Sequence, residues 1–438
     1  MAEDLPRLIR RLDLDRMRRY QEALGLYAGT HWPEGPGRGR RRTLTVNYIR
    51  TVIDKVATYL MAGRAVVIEP ADPSEAALAR ATEAALREVA EQNELDWLEL
   101  ETEVDTAVLG DGAYKVWWDP GAGQVRVSAP DVQGLYAWPD PASPFGPRRA
   151  VLRQLLPAAE VEARFGVGAD REEVEVIEDW TAGQFQVWVD GRPRPARPNP
   201  YGFIPVVVFP NVRRPKSFWG ESDALVLKEV QLELNRAFTQ LSRIMEVSGN
   251  PIAVLSGVTE AEDIAVQPGA VWTLPEDAKA YLLDLLANGA AQLHLEYINA
   301  LYRMLHDQAE VPRTAFGDNQ RNLSGVALEV EMPPLYQRVQ RKRLIRTAVY
   351  KRRNEFILRL LEQFTGRRFL HRQRVVWGQV TPRDESRRVA DFGLLVERGL
   401  RSRRGLMDEL GVADAEAEFG RWLEEQNRLG PGRGEGQG

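Results

Sequence analysis

Residues 322–364 read NLSGVALEVEMPPLYQRVQRKRLIRTAVYKRRNEFILRLLEQF, from Asn322 to Phe364. Both halves have helical spacing, yet Pro333 and Pro334 stand between them. A proline inside a helix removes a backbone donor and clashes with the preceding turn, so a bend is expected here. The second half carries Arg338, Arg341, Lys342, Arg343, Arg346, Lys351, Arg352 and Arg353. Wound into a helix, these cations cover most of its surface except a stripe with Leu344, Val349 and Phe356. Two readings stay open for Arg338, Arg341, Lys342 and Arg346. They form a solvated or inter-subunit ionic face, or they touch nucleic-acid phosphates, with a steep salt dependence.

Upstream, VPRTAFGDNQRNL at residues 311–323 is a polar loop. Before it lie two long helical patterns, residues 221–247 with Ser222 as N-cap and residues 287–310. A turn-rich piece with strand-like PIAVLSG and AVWTLP separates them. The first helix has Leu225, Leu232, Phe238, Leu241 and Met245 as apolar positions, and its length of roughly 40 Å demands partners on more than one side.

Further upstream the pattern is α+β. Leu5–Leu26 is an amphipathic helix, followed by the Gly/Pro/Arg loop GTHWPEGPGRGRRR. A helix capped by Asn47 runs from Tyr48 towards Gly63. Residues 73–109 read as one helical region that Gly110 and Gly112 end. AYKVWWDP and QVRVSAP form a hairpin, and AVLRQLL, EVEVIEDW, QFQVWVD and IPVVVFP continue as strands. Downstream of the basic helix come a strand, RVVWGQV, helices over 381–427, and a Gly-rich tail.

The chain has 438 residues, 44% hydrophobic and 28% charged, with a formal net charge of -5. That is the balance of a soluble globular protein and not of a chain that coats nucleic acid with its whole surface. Cysteine is absent, which excludes disulfides, thiolate metal sites and thiol nucleophiles. The N-terminus lacks the apolar core of a signal peptide, and the longest apolar runs, such as Ile204–Phe209, are strand-sized. A cytosolic product without membrane contact is expected.

Enzyme signatures are missing: no GxxxxGK[ST], HExxH or GxSxG occurs. His294 and His306 share a helix about three turns apart, too far for one metal. Glu99, Glu101, Glu103 and Asp105 form an acidic run, read as a solvated or inter-subunit face in preference to a metal-nuclease site. No cofactor is expected.

Several segments, in order, resemble the portal proteins of tailed phages of the type found in Bacillus phage SPP1. NYIRTVIDKVATYLMAGR at Asn47–Arg64 is similar to that family's early helix. GDGAYKVWWDP resembles its G-x-A-Y strand, and SAPDVQGLYAWPDP the strand that follows. GESDALVLKEVQLELNRAFTQ is similar to the segment opening the first stem helix, and LSGVALEVEMPPL to the one after the tunnel loop. TPRDESRRVADFGLLVERGLRSRRGLMDELG resembles the closing helices. The tandem proline departs from the pattern.

The resemblance implies an α+β portal fold with a wing (1–220), stem helices (221–247 and 287–310), a small clip (248–286) and a tunnel loop (311–323). A kinked helix with a return strand of the wing (324–380), crown helices (381–427) and a disordered tail (428–438) complete it. It implies a homo-oligomeric ring, commonly of twelve subunits, at one capsid vertex of the virion, assembled in the host cytoplasm. Double-stranded DNA passes along its axis. Implied partners are the terminase large subunit, major capsid and scaffolding proteins, and a head-completion adaptor. Asp318, Asn319, Gln320, Arg321 and Asn322 are the candidate DNA-facing residues, and Pro333 and Pro334 the kink. The rival readings are a metal-dependent nuclease and a non-viral oligomeric scaffold.

Overall fold

The computed structural model describes residues 5–32, 43–168, 170–249, 253–256, 279–282, 290–317, 330–378, 392–409 and 415–429. The chain divides into two compact units, Met1–Gly378 and Gln379–Gly438. The expected mixture of helices and strands is present, and the fold is α+β.

The first unit is built around β10 (Val206–Pro210), β2 (Asp111–Asp119) and β3 (Gln124–Ser128), paired antiparallel in that order. Side chains alternate across a strand, and this small sheet is apolar on both faces. Val207 and Phe209 of β10, with Tyr114 and Val116 of β2, point to one core. There they meet Leu86 and Val89 of α4 (Ala76–Gln92) and Tyr350, Phe356 and Ile357 of α10 (Pro333–Thr365). Val206, Val208 and Ala113 point the other way, to a second core with Leu135, Ala150, Leu152 and Trp180. Those four come from the meander β4 (Leu135–Asp140), β5 (Ser143–Pro157) and β6 (Glu173–Thr181), extended by β7 (Gln184–Val189). The hairpin and meander expected from the sequence are therefore present.

The helical region at 73–109 is broken. A 3-10 turn at Pro73–Glu75 precedes α4, and α5 (Leu95–Leu109) restarts after Glu94, which has a left-handed backbone (φ 48). The break places Asn93 beside β3. Its amide donates to Val125 O at 2.9 Å and accepts from Val127 N at 2.9 Å, which closes the outer edge of that sheet.

The helix expected from Ser222 is present as two pieces, α7 (Asp223–Val226) and α8 (Lys228–Gly249), with Ser222 Oγ accepting from Leu225 N. The inner face of α8 is polar where an apolar stripe was expected: Gln231, Asn235 and Thr239 are buried, whereas Leu225, Leu232, Phe238 and Leu241 are only half-buried and Met245 is exposed. The three polar side chains bind the backbone of an extended segment before α3 (Tyr48–Met61). Thr239 Oγ1 accepts from Leu44 N and Asn235 Oδ1 from Val46 N, each at 3.0 Å. Gln231 donates to Val46 O at 2.6 Å and accepts from Tyr48 N at 3.0 Å. The spacings match because four helical residues rise ~6 Å and two extended residues span ~6.6 Å. Asn235 also donates to Nδ1 of buried His31 at 2.7 Å. After α8 come β11 (Ala253–Ser256), β12 (Lys279–Leu282), which pairs with it, and α9 (Ala290–Ala309).

A strand at RVVWGQV was also expected. β13 (Gln373–Trp377) pairs antiparallel with β1 (Arg64–Ile68). In the second unit, α11 (Arg403–Glu409) and α12 (Ala415–Leu429) pack together, with the Arg403 guanidinium 4.5 Å from the Trp422 ring centroid.

Gly110 ends α5 at φ 100, and a Cβ there would lie 2.9 Å from Ser222 N. Gly110→Ala is expected to cost ~1–3 kcal/mol through the left-handed backbone alone. A thermal melt showing no loss of stability would refute this.

Candidate functional site

The candidate DNA-facing residues Asp318, Asn319, Gln320, Arg321 and Asn322 lie outside the described residues, as does Ser324. The elements on either side are defined. After α9, His306 Nδ1 donates to Val311 O at 2.7 Å, and a 3-10 turn spans Arg313–Phe316. Pro333 and Pro334 do not interrupt α10; they are its first two residues, after Met332. That position suits proline, because the first backbone donors of a helix have no intrahelical acceptor. Helical residues 330–331 stand before it, so the tandem proline marks a helix start where an interior kink was expected.

The basic helix is the largest correction. Arg338, Lys342, Arg343, Arg346 and Arg353 are all buried, and Leu344, read as part of the covered stripe, is 74% exposed. Of the four candidate contacts, only Arg341 stays in solvent, paired with Glu310. Arg338, Lys342 and Arg346 instead face carboxylates of the same chain.

Those carboxylates come from the acidic run. Glu99 and Glu103, four residues apart on α5, point inward and are buried, whereas Glu101 and Asp105 are exposed. Arg346 grips Glu103 with two parallel bonds, Nε to Oε2 at 2.7 Å and Nη2 to Oε1 at 2.8 Å. It also donates to Pro210 O and Asn211 O at the end of β10. Arg353 donates to Glu99 Oε1 at 2.7 Å, and Arg64 of β1 approaches Glu99 Oε2 at 2.5 Å. Lys342 donates to Asp223 Oδ2 and Asn211 Oδ1, both at 2.7 Å, and Arg338 pairs with Asp223 Oδ1 at 2.9 Å.

Five buried cations thus meet three carboxylates. Backbone carbonyls and aromatic faces accept the rest of the positive charge. Arg338 also donates to Ala309 O at the end of α9. Arg64 lies 4.4 Å from the Tyr350 ring centroid, and Arg353 lies 5.1 Å from that of Tyr114. Arg343 has no acid: it donates to the carbonyls of Leu60, Tyr59 and Ala62 at the end of α3 and to Gly378 O. Desolvation lowers its pKa to about 10. It remains charged at neutral pH and complements the negative end of the helix dipole.

This arrangement positions; it does not react. Glu99 and Glu103 are held by arginines, and among the described residues no cluster of His, Asp or Glu could hold a metal. His306 is buried on α9, and His294 is half-buried on the same helix. No described helix is long and apolar enough to cross a membrane. The sequence signal for the network was the shared period: acids at 99 and 103, bases at 338, 342 and 346, all spaced by four.

Residues 9–431 match the family model for phage portal proteins of the SPP1 Gp6-like type. The chain belongs to that family. This is a structural family and not one of enzymes, and its members act in genome packaging at a capsid vertex of the bacteriophage virion. No individually curated protein matches the chain.

Two outcomes follow for the portal chain. Arg346→Gln leaves Glu103 buried without its partner, which costs about 3–5 kcal/mol. The thermal midpoint falls, while DNA retention by protein that remains folded is unchanged; a DNA defect without destabilisation would reinstate the phosphate reading. The second concerns acid. Burial raises the pKa of Asp223, but Arg338 and Lys342 outweigh it and hold the carboxyl well below its ordinary range. Its stabilisation is therefore complete above the unfolded value of ~4 and is lost as pH falls below that. Stability measured from pH 5 down to pH 2 should fall less steeply in Asp223→Asn; an equal slope contradicts the assignment.

Proposed function

We propose that this chain assembles into a ring at one capsid vertex and forms the conduit through which double-stranded DNA is packaged and later leaves. The match across residues 9–431 carries the reading. In it, residues 1–220 form the wing, α8 and α9 the stem, 248–286 the clip, 311–323 the tunnel loop and 381–427 the crown. The ring has about twelve copies and assembles in the host cytoplasm. The terminase large subunit docks during packaging, and a head-completion adaptor replaces it. Major capsid and scaffolding proteins surround the wing.

The geometry beside 318–322 supports this reading. Arg338 ties the end of α9 to the beginning of α7 through Ala309 O and Asp223. The connection between α9 and α10 therefore leaves from a fixed base, as a loop that contacts a moving polymer requires. With mixed polarity, Asp318, Asn319, Gln320, Arg321 and Asn322 make weak, sequence-independent contacts; an all-basic loop would hold DNA too tightly.

Deleting 318–322 should leave rings intact by electron microscopy and impair DNA packaging in a reconstituted assay with the terminase. Normal packaging by the deletion variant would remove the loop from the mechanism. Rings without an axial opening would remove the conduit.

A further inference from the structure

Helix α9 is apolar on two sides. Ile298, Leu301, Leu305 and Ala309 form its inner stripe and are buried. Leu293, Tyr297, Ala300 and Met304, spaced by four, three and four, form a second stripe that faces solvent. Leu293 is 69% exposed, and Tyr297 and Met304 are each 47% exposed. A helix with one stripe covered by its own chain and another left open is built to sit between two neighbours. The open stripe has an acidic border, with Glu296 and Asp307 exposed beside it.

The solvent face of α8 is its complement. It carries Arg236, Gln240 and Arg243, all exposed, with half-buried Leu232 alongside. Arginine stems cover apolar surface while their charged ends reach acids beyond it. Height supports the pairing too. Tyr297 Oη donates to Glu233 Oε1 at 3.2 Å, and Tyr302 packs on Tyr48, whose backbone N–H is held by Gln231. Residues 293–304 of α9 therefore run antiparallel to roughly residues 230–237 of α8 and the turn beyond. Rotation about a ring axis keeps each residue at its own height, so the same levels meet between copies.

We propose that the open stripe of α9 packs against the Arg236–Arg243 face of α8 in a second copy of this chain. Glu296 then lies opposite Arg236 of that copy. The contact is head-to-tail: a two-fold contact of the stripe with itself would bring the Glu296 and Asp307 borders together. It rests on the ring reading above and specifies which surfaces close the ring.

The absence of cysteine allows a direct test. Glu296→Cys/Arg236→Cys, oxidised after assembly, should give a ladder of covalent multimers on a non-reducing gel, and neither single variant should. Covalent dimers from Glu296→Cys alone would mean a two-fold contact and overturn the proposal. Leu293→Gln/Met304→Gln changes only exposed positions and should raise the concentration for half-assembly at least about tenfold, judged from the apolar area removed. Circular dichroism should show an unchanged fold. Wild-type rings together with variant rings of unchanged stability would reject this surface and leave the ring standing. A wild-type chain that stays monomeric at every concentration would reject both.

Discussion

Buried charge in this protein is tolerable only because it is paired in ranks. Glu99, Glu103 and Asp223 meet Arg64, Arg338, Lys342, Arg346 and Arg353 inside the first unit, and five elements hang on those contacts. Taking one ion out of water costs several kcal/mol, so each member depends on its partners' positions. The forked geometry of arginine suits the task better than lysine, since one guanidinium can hold a carboxylate and two carbonyls together, as Arg346 does. The network thus fixes α10 against α5, β10 and the beginning of α7 more strictly than apolar packing alone would.

That network also separates two roles that the sequence blurs. The basic helix has the composition of a nucleic-acid surface, and its charge is spent internally. What α10 shows to solvent near its N-terminus is Pro334, Gln337, Gln340, Arg341 and Leu344, a nearly neutral face. A conduit gains from this, because a polymer slides past a neutral wall more readily than past fixed cations.

Much of the fold was legible. The Asn47 and Ser222 caps, the β2–β3 hairpin and the meander follow from local chemistry, which acts over a few residues. Helix amphipathicity failed where its premise fails. Assigning charged residues to the outside reverses α10, and reading Phe238, Leu241 and Met245 as the inner face of α8 overlooks Gln231, Asn235 and Thr239. In both helices the partner that makes polar burial possible lies far away in sequence, about 240 residues for Arg346 and Glu103 and about 190 for Asn235 and Val46. No local pattern records such a pairing, although the period-four spacing of each polar rank was visible. The tandem proline was read as an interruption because the helical pattern before it was given the same weight as the pattern after it.

The ladder on α8 divides the freedom to change unequally between its two sides. Gln231, Asn235 and Thr239 read only main-chain groups of Leu44, Val46, Tyr48 and Ile49. The segment is held by its shape and not by its side chains, so Leu44 and Val46 can drift to other residues as long as the backbone keeps its donors. Proline is the exception, since it has no N–H to offer. The three helix positions have no such latitude: each must keep an oxygen at the right height. Relatives of this chain could therefore look unrelated across 43–46 and still carry the same strap, with its signature written on α8.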